Sequence, residues 1–176
     1  EKKEKRNEER INKMVERYEV KLKEEMEKRE KGLLHLNNST IKGQDGELFI
    51  FGELNKRFPK ADIEDTHKQA NRGDFILKEG ALNMLIEIKN YTKNVIKPEI
   101  TKFYKDIGLN KDVNCGILIS LKSGICAKSD FQFEIRDGKP VLFLHKVMDN
   151  MKHIEFARSF FNLILNAGLD LSNKEI

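Results

Sequence analysis

The sequence predicts an α/β fold: a mixed central sheet flanked by helices and preceded by a long charged helix at the N-terminus. Three observations predict it. Downstream of residue 43, short β-type runs alternate with segments of helical period. The run CGILISL at 115–121 is apolar throughout, as a strand buried on both faces requires. Residues 1–31 consist mainly of Lys, Arg and Glu, lack Pro and Gly, and carry sparse apolar residues at nearly heptad spacing.

The elements follow in order. Ile11, Val15, Tyr18, Leu22 and Met26 form the stripe of the first helix. It reads either as a coiled coil, pairing two chains into a homodimer or continuing an upstream coil, or as a single helix held by Glu/Lys pairs. Because the chain opens on Glu1 inside this pattern, a fragment of a longer protein is expected. Residues 32–40 read as a linker, so 1–37 would hold the charged coil and linker and 38–176 the folded domain. Within that domain, 46–58 has a helical stripe that Pro59 ends. A strand follows at 62–66. The runs 73–78 and 83–89 read as a hairpin joined by Glu79, Gly80, Ala81 and Leu82. Pro98 suits the first turn of a helix striped by Ile100, Phe103, Tyr104 and Ile107. After the central strand at 115–121, a second hairpin turns at Asp137 and Gly138, with 141–147 as its second arm. An amphipathic helix over 150–166 then closes the chain, with Gly168 beyond its end.

Composition sets bounds. The 176 residues, 39% of them apolar, suffice for one core. With 33 basic residues against 29 acidic ones, the net charge of +4 permits a polyanionic partner without arguing for one. Cys115 and Cys126 have no His or Cys neighbour at zinc-ligand spacing and read as buried small apolar residues. A reducing, cytoplasmic or nuclear compartment fits them better than secretion. No apolar run of about 18 residues is present to span a bilayer, and the first residues are not signal-like. A soluble protein with no membrane partner is expected.

The chemistry concentrates in LIEIKNYTKN, residues 85–94. In a strand Glu87 and Lys89 share one face and Ile86 and Ile88 the other. Asp74 opens the strand that pairs with this one, so in an antiparallel hairpin Asp74 and Glu87 converge. Glu47 precedes Ile50, Phe51, Leu54 and Phe58 on the core-facing stripe of its helix. Carboxylates packed together raise one another's pKa values unless a cation sits among them. A hard divalent ion such as Mg²⁺ resolves this, and Lys89 beside it would stabilise charge developing on a phosphate. Read singly, each residue has a plainer role: Glu87 and Lys89 as a surface salt bridge, Asp74 as a turn residue, and Glu47 as a partner of its helix dipole. Asp65 reads as cross-strand pairing or turn capping, with the site also in its reach. His35, His67, His145 and His153 show no ligand spacing. Phe156, Phe160 and Phe161 read as core.

GDF at 73–75 and EIK at 87–89, with Glu47 on the helix before them, resemble the PD-(D/E)xK nuclease superfamily. The shared restriction-endonuclease-like core runs helix, three strands, helix, strand, which matches residues 43–121 here; the later hairpin and final helix lie outside it. Gly73 stands where the family pattern has Pro. The resemblance implies that Asp74 and Glu87 hold Mg²⁺ or Mn²⁺, that Lys89 is catalytic, that Glu47 completes the site, and that the Ile88 carbonyl is a further metal ligand. It implies a metal-dependent endonuclease hydrolysing phosphodiester bonds, of DNA before RNA. The polar loops 67–72 and 90–94 would bring Lys68, Arg72, Tyr91 and Lys93 to the backbone phosphates. Two alternatives stand beside it: an inactive nucleic-acid-binding module on the same fold, and an assembly domain whose coiled coil is its function.

Overall fold

The computed structural model describes residues 39–168 of the chain. The predicted N-terminal coiled coil therefore lies outside the described residues, as does nearly all of the predicted linker. Contacts divide the chain into one unit up to Asp45 and a second from Gly46. The second holds the sheet.

Its elements are α1 (Ser39–Arg57), which enters the unit at Gly46, β1 (Asp62–Asp65), β2 (Phe75–Glu79), β3 (Leu82–Lys89), α2 (Lys97–Leu109), β4 (Cys115–Ser120), β5 (Phe131–Arg136), β6 (Lys139–Leu144) and α3 (Lys152–Asn166). The six strands form one mixed sheet in the order β1-β2-β3-β4-β6-β5. The centre is parallel, β3 with β4 and β4 with β6, and both flanks are antiparallel. Parallel strands need a crossover, and α2 supplies the one from β3 to β4.

The two-residue period sorts the strands' side chains onto two cores. On one face Phe75, Leu77, Met84, Ile86, Ile88, Ile117, Ile119, Leu142 and Leu144 pack with Ile50 and Leu54 of α1 and Ile154, Ala157 and Phe161 of α3. On the other, Ile76, Leu85, Leu118, Val141 and Phe143 pack with Ile100, Phe103 and Ile107 of α2. All six residues of β4 are buried, as an apolar strand covered on both faces should be. Gly116 lets α2 come close, because a Cβ there would run into the Ile107 side chain.

Several expectations need correction. The helix predicted from residue 46 already runs at Ser39, so Ser39 and Thr40 are helical and not linker. Glu79 and Leu82 pair, leaving Gly80 and Ala81 alone in the hairpin loop. The last strand stops at Leu144, because His145 and Lys146 bond to Asp130 and Ser123 and Lys146 turns left-handed at φ 47°. Cys126 is exposed: Ile125, bridged to Val95, takes the inward position and its neighbour faces out. Of the three phenylalanines read as core, Phe161 is buried and Phe156 is largely exposed. Among the described residues no helix is long and apolar enough to cross a membrane.

Candidate functional site

Register builds the site. β2 begins at Phe75, opposite Ile86, whereas β3 runs on to Lys89 and stays paired with β4 through Ser120. The last residues of β3 therefore pass beyond the β2 ladder on that side. Asp74 fills the gap: the Ile88 N–H donates to its Oδ2 at 2.6 Å, while the Asp74 N–H donates to the Ile86 carbonyl at 2.9 Å. The Lys89 carbonyl accepts from Leu121 on the β4 side. Strand alternation then directs the Ile88 carbonyl, with its N–H, toward Asp74.

Gly73 makes this entry possible. Its φ is +66°, and a Cβ would lie 2.9 Å from the Ile86 carbonyl oxygen. Proline, fixed near φ −65°, cannot adopt that conformation. A proline at this position, which the resemblance would have placed there, is thus excluded by the backbone.

Glu87 and Lys89 lie on the α2 face. Glu87 is 2% exposed, so the pair is no surface salt bridge, although it does pair: Lys89 Nζ is 2.9 Å from Glu87 Oε1. α2 adds residues the sequence reading missed. Lys102 Nζ lies 3.1 Å from the same Oε1 and 3.2 Å from Asp106 Oδ2, and Glu99 Oε2 lies 2.8 Å from Lys89 Nζ. The Tyr91 hydroxyl donates to Glu99 Oε1 at 3.2 Å. Both ammonium groups on Glu87 thus meet one oxygen. The other, Oε2, is buried without a hydrogen-bond partner among the described residues. Glu134 on β5 offers the contrast: Lys128 and Gln132 serve one of its oxygens, Tyr104 and Arg136 the other. A buried carboxylate normally closes its contacts in that way. Glu87 does not.

The charges agree with the geometry. Burial, followed by repulsion from Glu87, pushes the Asp74 carboxyl up to about 7. Burial also raises Glu47, with His67 opposing and Asp65 and Glu87 adding to the rise. Asp106 is raised by burial against the pull of Lys102. Desolvation alone would pull the Lys89 ammonium down, but Glu87 and Glu99 outweigh it and hold the group charged.

The donors suit a hard cation. Asp74, the unpartnered Glu87 Oε2 and the Ile88 carbonyl are all oxygen ligands, of the kind Mg²⁺ and Mn²⁺ select. Among the described residues no three His, Cys, Asp or Glu side chains gather into a metal-holding group, and Glu47 does not join Asp74 and Glu87 in one. Mg²⁺ keeps several waters and commonly takes one or two carboxylates, so two carboxylates and a carbonyl are a donor set of the kind it accepts.

Of the residues expected at phosphates, Lys68, Tyr91 and Lys93 are exposed. Arg72 is engaged elsewhere, 3.2 Å from Asp112 and 3.4 Å from the Asn110 side-chain oxygen. Asp65 caps the turn after β1, accepting from the His67 N–H at 3.2 Å and pairing with its ring. Glu99, Lys102 and Asp106 did carry a signal: spaced three and four apart, they run beside the apolar stripe of α2.

Fold and site together define an α/β protein whose central sheet ends in a cluster of carboxylates and lysines built around a buried glutamate. No family model, curated protein or solved structure matches the chain.

Proposed function

We propose that the protein is a divalent-metal-dependent nuclease that hydrolyses phosphodiester bonds, of DNA before RNA, on a restriction-endonuclease-like core. The element order helix, three strands, helix, strand from α1 to β4 supports the core assignment. One observation carries the function. A fully buried glutamate turns one oxygen to two ammonium groups and, among the described residues, leaves the other without a hydrogen-bond partner, while its charge adds to the raised pKa of Asp74. An arrangement serving stability alone would close that oxygen, since an unpartnered buried acceptor costs about 1–3 kcal/mol.

Asp74, Glu87 and the Ile88 carbonyl hold the ion in this reading, and Glu47 acts on it from a distance. When bound, a divalent ion supplies charge neutralisation and a more acidic water. The chain does the rest. Glu99 and Glu87 fix the Lys89 ammonium and keep it protonated, ready to donate to a phosphate oxygen as negative charge builds there. The short bond from Ile88 locks the Asp74 carboxylate against the end of β3. Lys68 and Lys93 present exposed donors for the flanking phosphates, while the Tyr91 hydroxyl is taken up by Glu99.

The test is cleavage of labelled single-stranded, duplex and branched DNA and of RNA with Mg²⁺, Mn²⁺ or EDTA, comparing the wild type with Lys89→Ala. Cutting that needs metal and disappears in the variant is the expected result. Absence of cutting on every substrate with both metals would overturn the assignment.

A further inference from the structure

We infer that Lys102, on α2, is a second catalytic lysine of this site: it leaves Glu87 to contact a non-bridging oxygen of the phosphodiester under attack. The inference rests on the nuclease reading and deepens it.

Three features separate Lys102 from Lys89, although their ammonium groups lie 3.1 and 2.9 Å from the same oxygen of Glu87. The first is access. The Lys102 side chain is 52% exposed and that of Lys89 only 14%. A phosphate arriving from solvent therefore meets Lys102 first. The second is freedom to move. Lys89 is clamped between Glu87 and Glu99 on a strand paired with β4, and moving it would break both ion pairs at once. Lys102 extends a long flexible stem along the sheet-facing edge of α2 and is half-exposed, so exchanging Glu87 for a phosphate oxygen asks only for a rotamer change. The third is Asp106. This carboxylate is fully buried one helical turn below, gives one oxygen to Lys102 at 3.2 Å, and leaves the other without a partner among the described residues. Among those residues Lys102 is also its one ion-pair partner. Burying an acid so sparsely served is unfavourable for stability. Its one evident effect is to hold the Lys102 stem against α2 with the ammonium at the mouth of the site, which makes Asp106 a positioning residue.

A competing explanation is that Lys102 merely neutralises Asp106 and Glu87. The experiment separates the two. Single-turnover cleavage, DNA affinity in EDTA and thermal midpoints are measured on the full chain for the wild type, Lys102→Ala, Lys102→Arg and the double variant Lys102→Ala with Asp106→Asn. A transition-state donor lost from such a site lowers the rate by about 100-fold or more. We expect that loss in Lys102→Ala with affinity changed less than about threefold, partial recovery in Lys102→Arg, and a double variant that regains the thermal midpoint but not the rate. The double variant removes the uncompensated acid, so it also guards against a single variant that folds poorly. Recovery of the rate in the double variant, or a rate in Lys102→Ala within about threefold of wild type, would overturn the role of Lys102 while leaving the nuclease assignment intact. A wild type that cuts no substrate would overturn both.

Discussion

Replacing Asp74 with Asn should make the metal-free protein more stable and at the same time inactive. In the fold the Asp74 carboxyl is raised from 3.8 to about 7, first by burial and then by Glu87. A group whose folded pKa lies above its unfolded value contributes all its stability below the unfolded pKa and loses it as pH rises through the folded one. The loss here falls between about pH 4 and pH 7, at up to about 1.4 kcal/mol per pH unit, and totals about 4 kcal/mol at most. Asn cannot ionise, yet its carbonyl oxygen can still accept from the Ile88 N–H that binds Oδ2 in the wild type. If half of the maximum is realised, Asn gains about 2 kcal/mol at pH 8, a rise of roughly 6–8 °C in Tm for a domain of this size. The assay is thermal and urea unfolding of both proteins in EDTA from pH 4 to pH 8. The difference should grow across that interval and level off above pH 7. A constant offset, or an Asn variant less stable than wild type at pH 8, would refute the electrostatic picture of the site.

The same carboxyl ties metal binding to pH: below about pH 7 an ion must displace the Asp74 proton, so Mn²⁺ affinity measured by calorimetry should fall by up to about tenfold per pH unit. A flat profile from pH 8 to pH 5.5 would place the ion elsewhere. Lys89→Ala should abolish cleavage and destabilise the fold by about 1–3 kcal/mol, read as a shifted denaturation midpoint, because Glu99 and Glu87 lose their shared partner. Gly73→Pro should lower both stability, by about 1–3 kcal/mol, and cleavage, since φ +66° is closed to proline. Wild-type behaviour of that variant would show that the turn tolerates another path.

The strands and their order were legible because period and composition agree there. The apolar run of β4 can only be covered on both faces, and Glu87 and Lys89 interrupt an alternation that would otherwise be apolar. The helical contribution to the site was not legible. Glu99, Lys102 and Asp106 fit the spacing of a solvated face as well as that of a site, and only the docking of α2 brings them to Lys89 and Glu87, with Asp106 fully buried and Lys102 still half-exposed. Arg72 misled for a related reason: two residues from Asp74 in sequence, its guanidinium binds Asp112 across the fold. The start of α1 was hidden by Gly43 and Gly46, which weaken helix propensity locally while burial of Ile50 and Leu54 downstream favours the helix.

The tight hairpin that sets the β2–β3 register also has a bearing on the order of assembly. Asp74, Glu87, Ile88 and Lys89 flank one short loop, and Glu99, Lys102 and Asp106 follow on the next helix. Closing short loops is entropically cheap and fast. This stretch is made before β6 and α3, which complete the sheet and one of its covering layers. On an emerging polypeptide the residues of the charged centre are all present while half of the hydrophobic core is still unsynthesised, so the buried carboxylates stay in water until β4 and β6 arrive to seat α2 over them.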